Sequence, residues 1–212
     1  MVFRMNFSKF PVALMLCTIF VNQGYAESTM TTSFAQRLSA AAQERTQYEV
    51  VYDGSYRRIS YPMGDVPENI GVCTDVVIRS YRKLGFDLQQ LVHEDMKANF
   101  KVYPSKRIWG LSRADANIDH RRVPNLQTFF KRHGEALSVS ENPGDYKTGD
   151  LITWMLPGNL PHIGIVSEGR SQDGKRPLIV HNIGQGPKLE DMLFDFKITG
   201  HYRYWPEDRV DH

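Results

Sequence analysis

Apolar positions along this chain recur with one period in its first half and another in its second. Between residues 33 and 47, Phe34, Leu38, Ala41 and Ala42 fall on one side of a helix. Val76, Val77, Tyr81 and Leu84 form the buried stripe of a second helix from Cys73 to Leu84, with Gly85 as its natural stop. Leu88, Leu91, Val92 and Met96 predict a third, from Leu88 to about Phe100, and Pro124 to His133 a fourth, closed by Gly134. From Gly149 the period shortens. Leu151 to Met155, His162 to Ser167, Pro177 to Ile183 and His201 to Tyr204 are strand-like runs separated by Gly, Pro and Asp clusters. Helices first and consecutive strands later define an α+β domain, with N-terminal helices packed on an antiparallel sheet.

Three stretches stand outside this pattern. Glu49 to Tyr52 is a short strand candidate, ended by the Asp53-Gly54 turn. Tyr56 to Asp65 is polar and aromatic, and the prolines and glycine of Pro62-Met63-Gly64-Asp65-Val66-Pro67 predict an ordered loop. Tyr103 to Arg122 has no clear period. Loops of that length in a compact domain often line or cover a site.

The first residues are of a different kind. Arg4 and Lys9 precede an apolar run from Phe10 to Val21, followed by Gly24-Tyr25-Ala26. This is the pattern of a secretory signal peptide cut after Ala26. An uncleaved anchor would need about 20 apolar residues, and Leu16 stands where a small residue should precede a lipidated Cys17. The expected division is a leader over residues 1–26 and one domain over 27–212, periplasmic or secreted, without stable membrane insertion after cleavage. About 186 residues suffice for one core. The whole chain has 26 Lys and Arg against 24 Asp and Glu, and losing Arg4 and Lys9 makes the two equal. Nucleic-acid binding, which needs surplus cations, is not expected.

Cys17 and Cys73 are the two cysteines of the chain, and Cys17 leaves with the leader. An oxidising compartment then holds a single thiol, either reactive, bridged to another molecule, or buried and inert. Cys73 opens a helix, where unpaired N–H groups and the helix dipole favour a thiolate. Gly71 allows close backbone approach, and N–H groups of the same turn suit an oxyanion. Asp75 would raise the thiol pKa, or it caps the turn. His162 starts a strand on which His162, Gly164 and Val166 share a face, and Gly164 leaves room for a helix start. His181, on the next strand, can orient His162; Asn182 points to the opposite face.

Helix-start Cys73, strand His162-Ile163-Gly164-Ile165-Val166 and strand-end His181 together resemble the NlpC-type branch of papain-like cysteine peptidases, mostly bacterial cell-wall hydrolases. The resemblance implies Cys73 as nucleophile, His162 as base and His181 as orienting group. It also implies a site-lining tyrosine in a Tyr-x-x-Gly context, here Tyr61-Pro62-Met63-Gly64. The chain departs from that pattern with Val-Cys-Thr-Asp in place of Asp-Cys-Ser-Gly, and with longer inserts before His162 and before His181.

A closer resemblance, over nearly all of the chain after the leader, is to the YijF-like bacterial family, a domain of unknown function. It rests on Gly64-Asp65-Val66-Pro67, Gly71-Val72-Cys73-Thr74-Asp75, Asp119-His120-Arg121-Arg122-Val123-Pro124-Asn125-Leu126 and His181-Asn182-Ile183-Gly184.

The expected protein is a monomeric papain-like cysteine peptidase or amidase, cofactor-free, acting on amide bonds of peptidoglycan stem peptides. Tyr61, Asp75 and Arg121 are candidate substrate contacts, Arg121 as a carboxylate clamp or, alternatively, a loop tether. Two other readings stay open. One is a catalytically silent cell-wall-binding module. The other is a zinc site built from Cys73, His162 and His181, although no close-spaced ligand pair is present.

Overall fold

The computed structural model describes Met1 and residues 32–206. Met1 aside, the leader expected over residues 1–26 lies outside the described residues. The order of elements from Thr32 onward is helical, then stranded. Helix α1, Phe34–Glu44, starts at a reciprocal cap: Ser33 Oγ accepts from the Gln36 N–H, and Gln36 Oε1 accepts from the Ser33 N–H. A 3-10 turn over Arg45–Gln47 extends it.

The strand expected over Glu49 to Tyr52 is shorter, β1 at Val51–Tyr52, and pairs in parallel with β2, Ile70–Gly71. This separate two-stranded ladder was not expected. It carries the chain straight into α2, Cys73–Lys83, whose first nine residues are all buried. Arg79 donates to both Asp65 oxygens and to the carbonyls of Val66, Glu68, Pro67 and Ile70. That one guanidinium fixes the proline-rich loop entering the helix. Gly85, at φ 91°, ends α2 in the left-handed region that glycine favours. Helix α3, Leu88–Asn99, is capped by Asp87, which accepts from the Gln89 N–H.

The stretch from Tyr103 to Arg122 contains a short helix α4, Ser105–Trp109, and a 3-10 turn, Asp119–Arg121. Helix α5, Val123–His133, follows with its proline in the first turn.

The sheet has six antiparallel strands in the order β3-β8-β4-β5-β6-β7. They are β3 (Glu135–Leu137), β4 (Leu151–Leu156), β5 (Leu160–Arg170), β6 (Pro177–His181), β7 (Lys188–Glu190) and β8 (Lys197–Arg203). The two short edge strands β3 and β7 were not expected. Alternation divides the sheet between two cores. Leu151, Ile163, Ile165, Val180 and Tyr202 pack with α1, α2, α3 and α5, around Leu38, Val77, Tyr81 and Phe130. Ile152, Trp154, Val166 and Ile179 pack on the other face against Tyr146, Met192 and Leu193. Each fully buried Leu or Ile contributes about 1.5–3 kcal/mol. Among the described residues no helix is long and apolar enough to cross a membrane.

Candidate active site

The helix start sits where the sheet opens. The β5–β6 ladder pairs Ile165 with Val180, and β6 ends at His181. The backbone of His162 and Ile163 therefore lies beside the end of β6. Here the Cys73 thiol meets the Ile163 N–H, at the peptide that joins His162 to Ile163. The Thr74 N–H and the Tyr52 hydroxyl also face the thiol closely enough to favour its charged form.

Cys73 is 4% exposed. Burial pushes its pKa from 9.0 up to about 11, Asp75 adds to the rise, and the two N–H groups and Tyr52 oppose it. The thiolate expected from the helix dipole is thus overruled by desolvation, and the resting group is the neutral thiol.

Asp75 does both things considered for it. Its Oδ2 accepts from the Val72 N–H at 2.7 Å, which caps α2, and its charge bears on the thiol. It is also paired. Arg121 donates through Nε to Oδ1 at 2.9 Å and through a terminal nitrogen to Oδ2 at 2.8 Å, with both side chains buried. The same guanidinium reaches the carbonyls of Asp53 and Ser55. Arg121 is therefore a tether committed to Asp75, not a free clamp for a substrate carboxylate. Arg122 is tethered likewise, to Asp119.

His162 and His181 are brought together. His162 Nε2 lies 3.2 Å from His181 Nδ1, and His181 Nε2 lies 2.9 Å from Glu190 Oε2. The register explains the chain of contacts: Ile179 opposes Glu190, so Glu190 and His181 share a face. Burial first, and then His181, lowers the His162 pKa to about 3. Burial also lowers His181, with Glu190 opposing. Both imidazoles are neutral at rest.

The two imidazoles project from the face carrying Trp154 and Ile179, whereas α2 packs on the face of Ile163 and Ile165. The helix start does not fill the space above Gly164. A Cβ there would meet Ile179 Cγ2 at 2.7 Å and the Val180 carbonyl at 2.9 Å, so the neighbouring strand occupies it. The sulfur instead reaches the strand end from the helix side, and no hydrogen bond joins it to either imidazole among the described residues. His162 Nε2 is taken by His181, which leaves Nδ1 for a thiol. Asn182 faces away from the pair, with its Oδ1 held by the Gly184 N–H.

The tyrosine at the thiol is Tyr52. Tyr52 is 44% exposed, and its hydroxyl end faces the thiol and the backbone N–H of Cys73; partial desolvation there, followed by Cys73, raises its pKa. Tyr61, expected in this role, stacks edge-on against His93 with centroids 5.1 Å apart. Residues Tyr52 and Glu190 were both missed. The parallel β1–β2 pairing sets Tyr52 beside Gly71, two residues before the cysteine, and nothing local in the sequence announces a pairing across that loop. For Glu190 there was a signal, the polar-apolar-polar alternation of Lys188-Leu189-Glu190 after Gly186-Pro187.

A cavity of about 280 Å³ opens on His181, Glu190, Met192 and Phe196. A second, of about 590 Å³, lies along Val50 and Val51 just before Tyr52, and the two share Gln185, Gly186 and Lys188. No group of three His, Cys, Asp or Glu side chains among the described residues converges as a metal-ligand set. The long stretch from Tyr103 lines other cavities.

Fold and site together define an α+β protein with helices on one face of an antiparallel sheet and a buried thiol at the strand end. The chain belongs to the family described as domain of unknown function DUF1287, whose model matches residues 39–204. It is 51% identical over 168 residues to the uncharacterized protein YijF of Escherichia coli strain K12, covering 79% of this chain and 80% of that one.

Proposed function

We propose that this protein is a secreted or periplasmic cysteine hydrolase of papain-like, NlpC-type architecture that cleaves amide bonds in peptidoglycan stem peptides. The observation that carries this reading is the relay from His162 through His181 to Glu190, on the strand whose Ile163 backbone N–H faces the Cys73 sulfur. With both groups neutral at rest, His162 acts as a general base at the moment of attack. Attack requires the helix start and the His162 ring, which stand on opposite faces of the strand, to close on each other; the thiol proton then passes to His162 Nδ1 as sulfur bonds to the amide carbon. The oxyanion is held by the Cys73 N–H and the Tyr52 hydroxyl. On collapse the C–N bond breaks, and the imidazolium returns its proton to the leaving amine. Water then attacks the thioester, giving its proton to His162, and the acid leaves as the thiol is restored. His181, braced by Glu190, holds the His162 ring and its tautomer.

One observation favours a second reading, a catalytically silent module. The thiol is packed in the helix-side core and is bonded to neither imidazole. Muropeptide digestion followed by mass spectrometry separates the two. The hydrolase yields new amine and carboxylate termini with wild-type protein and none with Cys73→Ser. Identical products from both proteins remove the enzyme reading for this substrate.

A further inference from the structure

Away from the cysteine, a groove of about 750 Å³ runs between the turn before α4 and the outer side of α5. Its charged lining is wholly cationic: Lys101, Lys106, Arg107 and Lys131. None of these four forms an ion pair among the described residues. Elsewhere Arg79 and Arg82 are paired with Asp65, Arg121 with Asp75, Arg132 with Asp95 and Arg203 with Asp150. Four like charges along one concave wall repel one another, and no carboxylate of the groove offsets them.

A second feature points the same way. Tyr202 forms part of the wall: its ring is largely buried, while its hydroxyl bonds no other described residue and reaches solvent. Its burial alone raises its pKa, with no charged neighbour contributing. A hydroxyl on a rigidly packed ring, open to solvent at the wall of a cationic groove and with no protein partner, is free to donate to an acceptor that arrives from outside. The volume is that of a small-molecule site.

We propose that this groove binds a small organic polyanion bearing a phosphate or diphosphate group, with the four cations neutralising it and Tyr202 donating to a phosphate oxygen. Two or more negative charges are needed, because a single carboxylate would leave most of the cationic wall uncompensated. The site stands independently of Cys73, and its occupancy does not require hydrolase activity.

The test is calorimetric titration of the purified protein with inorganic pyrophosphate at low ionic strength, with citrate as a carboxylate competitor. Flotation with phosphatidylcholine vesicles, with and without phosphatidylglycerol, runs alongside. The wild type should bind pyrophosphate at one site, more tightly than citrate, and weaken as salt rises. Lys106→Glu with Lys131→Glu should lose at least about tenfold in affinity, whereas Lys147→Glu with Lys175→Glu, the same change in net charge elsewhere, should stay within about twofold. Tyr202→Phe keeps the ring and should weaken binding several-fold.

The proposal is overturned by no pyrophosphate binding, by citrate binding at least as tightly, or by equal losses in the two double variants. Binding confined to phosphatidylglycerol vesicles would assign the groove to a membrane surface and also overturn it. Circular dichroism and the alkylation rate of Cys73 should match wild type in every variant, which separates this outcome from that of the hydrolase reading.

Discussion

Replacing Cys73 by alanine should change how stability depends on alkaline pH, with a sign and size that the site fixes. The thiol is an acid whose pKa rises from 9.0 in the open chain to about 11 in the fold. Its neutral form is the one that fits. The stability it contributes is fully present below the lower value and is lost as pH rises through the window toward the upper one. Two units at about 1.4 kcal/mol each give a ceiling of about 3 kcal/mol. At about pH 10, midway, close to half of this is gone, about 1.4 kcal/mol. The measurement is denaturant unfolding of wild type and Cys73→Ala at about pH 8 and about pH 10. Other groups titrate in both proteins and cancel, so the wild-type advantage should shrink by that amount between the two conditions. Thiolate absorbance on the native protein should show no ordinary midpoint near 9. An advantage that stays constant, with the thiol titrating at its ordinary value, would mean that the sulfur is solvated, and the neutral-pair chemistry would fall with it.

The remaining predictions concern the groups around the sulfur. Tyr52→Phe, in an amidase assay on muropeptides, should lower kcat by about a hundredfold with little change in KM, because it removes a donor needed at the oxyanion. Arg121→Ala strands the buried Asp75 carboxylate and should destabilise the fold by about 3–5 kcal/mol in urea titrations. His162 is a base whose pKa falls from 6.5 to about 3. Wild type should therefore lose stability as pH drops through that window, and His162→Asn should show a flatter acid limb in thermal unfolding.

Much of the architecture was legible because it is written locally. The stripe Val76, Val77, Tyr81 gave α2, and alternation through Ile163, Ile165 and Val180 gave the strands whose faces hold the two cores. The histidine pair was legible for the same reason, since strand alternation sends His162 and His181 to one face, where they meet at 3.2 Å. What escaped depends on pairings distant in sequence. Tyr52 reaches the thiol through a parallel ladder that closes only after a long loop pinned by Arg79. Tyr61 has the expected local spacing to a glycine, but the fold carries it to His93. The electrostatics escaped too. A helix start predicts a stabilised thiolate, and the sequence does not tell how deeply the sulfur will be buried.

Asp75 and Arg121 explain how a cysteine can tolerate a carboxylate two residues away. The position suits an acid, since Asp75 caps the helix through the Val72 N–H. The same carboxylate opposes ionisation of the thiol, and left alone in the core it would be costly for the fold. Arg121 answers both difficulties by engaging both carboxylate oxygens. Its remaining hydrogen bonds go to the carbonyls of Asp53 and Ser55, in the chain just after Tyr52. One guanidinium thus ties the helix start to the segment that carries the tyrosine. Arg121 makes this tie without a hydrogen bond to the thiol or to the tyrosine hydroxyl. A site arranged in this way does not rely on a standing thiolate. It holds a neutral thiol on the helix side of the strand, and the hydrolase proposed above would separate charge only once a carbonyl is present to receive it.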